Sequence, residues 1–180
     1  MKKWILVHCL FVNVLNAGAQ LYVTKTGFTG FYSKTPMEDI KAENNQVYAA
    51  VDLSKRTIAF SMLLKGFLFR KELMQEHFNE NYVESDQYPR ATFSGTFSGN
   101  IDRVGQQAVV IEVTGKISLH GVIKEFSTPA TIEIHNGTLT GKSNFQLIPR
   151  DFNISIPSLV RDKIARQIDV VINITCKPLK

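Results

Sequence analysis

Beyond its first twenty residues, most of the chain alternates apolar and polar side chains with a period of two, and turn residues fall where strands should end. That pattern commits the chain to half-buried strands. Val47, Ala49 and Val51 share one face before Asp52 and Ser54 turn the chain, and Ile58, Phe60, Met62 and Leu64 form the second arm of a hairpin. Lys65-Gly66 interrupts the alternation and Phe67 and Phe69 resume it, which predicts a bulged or bent long strand. Pro89, with no N–H to donate to a ladder, suits the start of a strand on which Ala91, Phe93, Gly95 and Phe97 oppose Thr92, Ser94, Thr96 and Ser98. Val109, Ile111, Val113, Ile117 and Leu119 likewise oppose Glu112, Thr114, Lys116, Ser118 and His120, and Gly121 permits a tight turn. Ile132 and Ile134 lead into Asn136-Gly137, a hairpin signal because both residues accept positive φ, and Leu139, Phe145 and Leu147 lie on the return strand. Ile168, Val170, Ile172, Ile174 and Cys176 mark a last strand placed to close the sheet.

Only two segments read as helical. Arg70 to about Asn79 is rich in helix formers, with Leu73, Met74 and Phe78 as its apolar stripe, and a short turn is expected from Pro157 to about Ile164. The residues alone therefore predict an all-β, antiparallel protein with one inserted helix. Closing the sheet removes exposed edges, and a barrel of about eight strands can enclose one small ligand. The inserted helix can cap one end.

Three motifs fall in a fixed order: Tyr88-Pro89-Arg90-Ala91-Thr92-Phe93, then Leu119-His120-Gly121-Val122, then Arg150-Asp151-Phe152-Asn153-Ile154. Together they resemble the bacterial YceI-like family, whose pattern is an aromatic residue and Pro before a Thr-Phe strand, a Leu-His-Gly-Val strand end and a late Arg-x-Asp-Phe-x-Ile element. Leu73 to Asp86 matches the helix and loop that precede the Pro strand in one branch. The family's usual Asp-x-x-His-Ser opening is absent, so no role tied to it is carried over. The resemblance implies an extended antiparallel β-barrel, lipocalin-like in shape, with a helix near one end and an isoprenoid or other amphiphilic chain held inside.

The first residues read as an export signal. Lys2 and Lys3 precede an apolar run from Trp4 to Leu15, and Ala17-Gly18-Ala19 forms a small-residue cleavage site. Residues 1–19 are thus expected to be a secretion signal peptide and 20–180 a single YceI-like β-barrel domain, in the periplasm or secreted from a bacterium. The apolar run is too short to span a bilayer. Cys9 lies within it, so Cys176 would be the one mature cysteine, and its neighbours Ile172 and Ile174 make it a buried small hydrophobe. The excess of five basic residues falls to three without Lys2 and Lys3, and the rest are scattered, which gives no support for nucleic-acid binding.

Chemistry-bearing residues are sparse. No Gly-x-Ser-x-Gly elbow, phosphate loop, zinc spacing or nucleotide fingerprint occurs, so the chain is read as a non-enzyme with no catalytic residue, no metal ligand and no cofactor beyond a bound isoprenoid-type lipid. His77, with Glu76 and Glu80, offers too few ligands for a metal site and is expected to bond the following loop. His120 either satisfies backbone groups at its turn or touches a ligand. Asp151 with Arg150 is expected to make a local ion pair or a strand-end bond, not an acid/base pair.

What the chain does offer is apolar capacity. Phe60, Met62, Leu64, Phe67, Phe69, Phe93, Phe97, Ile111, Val113, Ile117, Leu119, Ile132, Ile134, Phe145 and Ile172 could line one interior, closed by Leu73, Met74 and Phe78. Side chains alone can also fill such a barrel, so the pattern leaves a packed core and a tunnel equally open. The resemblance favours the tunnel, with an isoprenoid quinone or polyprenyl phosphate as ligand and Tyr82, His120 and Arg150 as rim residues near its head group. Burying about ten methylenes at roughly 0.8 kcal/mol each gives about 8 kcal/mol before ordering costs, comparable with micromolar binding. The rival expectations are a solid-cored envelope protein acting through its surface, in stress tolerance or assembly, and a small hydrolase or metal-dependent enzyme. Transient membrane contact and a homodimer stay open.

Overall fold

The structure, a computed structural model, describes residues 21–179. The expected signal peptide therefore lies outside the described residues. Among the described residues nine strands run as β1 (Leu21–Lys34), β2 (Asp39–Asp52), β3 (Thr57–Leu63), β4 (Leu68–Phe69), β5 (Arg90–Ser98), β6 (Val109–Leu119), β7 (Val122–His135), β8 (Thr138–Leu147) and β9 (Ile168–Pro178), with one α-helix, α1 (Glu72–His77), between β4 and β5. Every pairing is antiparallel. β1 pairs with both β9 and β2, so eight strands close into a barrel and β4 adds a short rung to β2.

The up-and-down order sorts the connections between the two ends. The β2–β3 turn, the loop 99–108 and the Asn136-Gly137 turn lie at one end. The β1–β2 turn, the long insertion 64–89, the His120-Gly121 turn and the connection 148–167 lie at the other. Leu179 N–H donates to Leu21 O at 2.7 Å, so both ends of the described chain sit with the first group.

At that first end the barrel is packed solid. Leu53, Phe97, Val104, Val109 and Leu139 are buried and belong to one cluster that continues inward to Ile111, Val113, Ile132 and Ile174. The loop 99–108 folds beneath it as a plug, with Val104 buried and its carbonyl accepting from Ile134 N–H at 2.7 Å. Cys176 is fully buried here, and burial pushes its thiol up to about 11.

Four local expectations change. The interruption at Lys65-Gly66 is a 3₁₀ turn, Leu64–Gly66, that ends β3 and redirects the chain, so Phe69 pairs with Ala42 of β2 and not with β5. Buried Asn44 holds that crossing, its Nδ2 donating to Leu63 O at 2.9 Å, and a side chain at Gly66 would meet it. The helix widens to a π-helical turn over Phe78–Tyr82, where Asn79 Nδ2 donates to Gln75 O and competes for an acceptor of the regular ladder. The second helical segment shortens to a 3₁₀ turn, Ser158–Val160. Asp151 pairs with Lys124 at 3.2 Å in place of Arg150, which is exposed.

Candidate ligand-binding tunnel

Above the packed end the barrel is open. A cavity of about 550 Å³ runs from the level of Ile111, Ile132 and Ile174 toward the end that carries α1. It lies within the roughly 300–1,000 Å³ of small-molecule sites.

Aromatic side chains from separate strands build its wall. Phe60, Phe93, Phe126 and Phe145 follow one another around the barrel, with ring centroids 6.3, 6.3 and 4.8 Å apart. Nearer the mouth, Phe31, Phe67, Phe69 and Phe78 pack together at 5.1 to 5.7 Å and seat the C-terminal end of α1 against β1 and β4. Such tilted and edge-on pairs stabilise the wall by about 0.5–1.5 kcal/mol each beyond the area they bury. Gln75 Oε1 accepts from Phe69 N–H at 3.1 Å, which fixes the helix to β4.

Of the tunnel residues named from sequence, Phe60, Met62, Leu64, Phe67, Phe69, Leu73, Met74, Phe78, Phe93, Ile111, Val113, Ile117, Leu119, Ile132, Phe145 and Ile172 line this cavity. Phe97 and Ile134 do not. Both belong to the packed end, because the 99–108 plug fills the barrel at their level. Alternation assigns a face correctly there but carries no information about height along the axis. Phe31, Phe126, Phe152, Ile154 and Ile156 also line the cavity. Phe126 was reachable by counting back in twos from Ile132; the others sit in an irregular strand or in loops, where no periodicity flags them.

The mouth is framed by polar and charged residues outside the expected rim set. Glu38 from the β1–β2 turn, Lys71 at the start of α1, His77, and Lys163 from the 148–167 connection all border it. Lys71 Nζ donates to Glu38 at 2.7 Å, and that bond, aided by the nearby Lys163 charge, holds the Glu38 carboxyl below the usual carboxylate range. Among the described residues no group of three or more His, Cys, Asp or Glu side chains is arranged to hold a metal.

Of the expected rim residues, Tyr82 lines the cavity, with burial pushing its hydroxyl up. Arg150 and His120 do not. His120 is nine-tenths buried behind the wall, in the left-handed region at φ 51°. Its Nδ1 donates to Phe152 O at 2.9 Å, its Nε2 lies 2.8 Å from Glu84 Oε2, and the Tyr88 ring packs edge-on against it at 4.6 Å. Gly121, at φ 73°, completes the turn, and a Cβ there would come within 2.6 Å of the same Tyr88 ring. All three sequence motifs thus meet at one clamp that ties the insertion, the β6–β7 turn and the 148–167 connection together. His120→Ala is expected to lower unfolding stability by about 2–3 kcal/mol through its lost buried hydrogen bonds. Ligand affinity measured below the transition should shift by less than roughly threefold, since the ring is outside the cavity.

The comparisons agree with this architecture. The YceI-like domain profile matches residues 19–176. The fold is shared with a polyisoprenoid binding domain from Saccharophagus degradans implicated in plant cell wall breakdown, at 12% identity over 89% of this chain and 99% of that one, with a TM-score of 0.76. Burkholderia cenocepacia BcnA superposes with a TM-score of 0.71 at 15% identity, covering 83% of this chain and 95% of its own. A Campylobacter jejuni YceI protein gives 0.58 at 13% identity over the whole of both chains. No curated protein matches the sequence. With nearly the whole described barrel inside the matched region, the chain belongs to the YceI-like domain family.

Proposed function

We propose that this protein is a non-catalytic binding protein that takes the apolar chain of an isoprenoid-type lipid into its barrel, either to carry it or to keep it from water. The observation that carries this reading is the 550 Å³ cavity with an almost wholly apolar wall, open at one end. An apolar space of this size is a standing loss of dispersion contacts for the side chains around it, and a flexible hydrocarbon chain restores them. The polar head would then lie at the mouth with Lys71, Lys163 and Glu38, a border that suits an anionic or polar head group. The name of the Saccharophagus degradans domain, a polyisoprenoid binding domain, points the same way. Export to the periplasm or beyond, after cleavage near Ala19, belongs to the same proposal and explains how such a carrier would meet envelope lipids. The solid-cored alternative fits only the plugged half of the barrel.

The test is direct. Solvent extraction of the purified protein followed by mass spectrometry should recover an isoprenoid lipid, and delipidated protein should bind an isoprenoid quinone or polyprenyl phosphate with micromolar or tighter affinity. Recovery of no lipid together with no binding on titration would sink the reading.

A further inference from the structure

Three exposed apolar side chains surround the tunnel mouth, each on a different segment. Leu159, on the Ser158–Val160 turn, is 93% exposed; Met37, in the β1–β2 turn, is 66% exposed; and Leu73, on α1, is 61% exposed. Their segments are drawn together at the opening. Glu38, next to Met37, bonds Lys71, two residues before Leu73, and also feels the Lys163 charge. Ala165 N–H donates to Ser33 Oγ at 2.8 Å, pinning the Leu159 segment to the end of β1. Val160 and Ile164 of that segment turn into the cavity while Leu159 turns away from it.

We propose that this face docks onto a phospholipid bilayer, with Leu159 and Met37 inserted among the acyl chains and the mouth held against the membrane. Three features favour a bilayer over another occupant. The segment with the most exposed leucine carries Arg161, Lys163 and Arg166 against a single acid, Asp162, so its charge complements phospholipid phosphates, and long basic side chains reach the head groups while neighbouring apolar ones insert. The three apolar side chains stand on separate segments, two turns and a helix, unlike the contiguous patch of about 800 Å² per partner that a stable protein interface needs. Both ends of the described chain lie at the opposite, plugged end of the barrel, which leaves this face clear of them. The inference rests on the proposed lipid ligand only for its purpose, since docking would let a bilayer-borne chain pass into the tunnel without crossing water.

Vesicle flotation tests it, with phosphatidylethanolamine–phosphatidylglycerol vesicles and the purified protein. The unaltered protein should float with the vesicles. Leu159→Glu should weaken that association at least roughly tenfold, and Met37→Glu added to it further, because each change places a charge where an apolar side chain was buried. Neither residue lines the cavity, so both variants should keep the unaltered protein's affinity for an isoprenoid quinone titrated in solution. In a Leu159→Trp variant the indole emission should shift to the blue on vesicle addition. Absence of vesicle association by the unaltered protein, or equal association by Leu159→Glu, overturns the proposal. So does a concentration-dependent dimer that Leu159→Glu disperses while vesicles bind neither form, which would give the face to a second copy. If vesicle docking follows the prediction but no lipid enters the tunnel, the docking inference stands and the proposed function falls.

Discussion

Titrated with an isoprenoid quinone, an Ala91→Phe variant is expected to bind at least roughly 100-fold more weakly than the unaltered protein, yet unfold within about 1 kcal/mol of it. Ala91 opposes Met62 on β3 and lines the cavity near the Leu64, Phe67 and Phe78 side chains. A phenyl ring at this point has room to occupy, and that room is where the proposed ligand would lie. Adding methylenes to a filled core instead forces neighbours off their rotamers, typically at about 1–3 kcal/mol. The same substitution therefore separates the two interiors: lost affinity with retained stability marks a tunnel, and lost stability with no binding to lose marks a packed core. Denaturant unfolding beside the titration reads both quantities from one sample.

The largest loss of stability is expected at Gly95 and Gly115, which face each other across β5 and β6. A Cβ on Gly95 would lie 2.3 Å from Thr114 O and 2.7 Å from Gly115 Cα, and one on Gly115 would lie 2.4 Å from Ser94 O and 2.5 Å from Gly95 Cα. These obstacles are backbone atoms in a central ladder, so no side-chain rotation relieves them. Either Gly95→Ala or Gly115→Ala should lower stability by roughly 3–5 kcal/mol, a large part of the 5–15 kcal/mol that holds a typical domain. The double variant should lose less than the two single losses added, because strands already forced apart for one methyl admit the second more easily. A single alanine variant melting within about 1 kcal/mol of the unaltered protein would show that the strands do not approach this closely.

The barrel was legible because most of its strands bury one face and expose the other. Val47, Ala49 and Val51 are fully buried as the alternation requires, and Asn136 and Gly137 both take positive φ at their turn. β1 is the exception. Thr24, Gly27, Thr29, Gly30 and Ser33 put small or polar residues along it, and its register shifts on either side of Gly27, so no run of twos survives. The strand is held by pairing on both edges instead of by a greasy face. Phe31 was hidden with it. His120 was the opposite case: a conspicuous residue whose work is to join Glu84 and Phe152, neither of which is near it in sequence. Nor could alternation show that Phe97 and Ile134 lie below the tunnel floor, because that floor is set by where Val104 folds back.

Among the described residues, the plug beneath that floor closes the barrel at one end and leaves the cavity open toward α1. A chain that slides in must come back out the way it came, tail last, and each methylene withdrawn meets water again at roughly 0.8 kcal/mol. Residence time should therefore lengthen steeply with tail length until the tip reaches Ile111, Ile132 and Ile174, and then level off as further units trail outside. A blind-ended barrel would in this sense act as a ruler for the proposed lipid: the position of Val104 would set the tail length beyond which one lipid is no longer distinguished from the next.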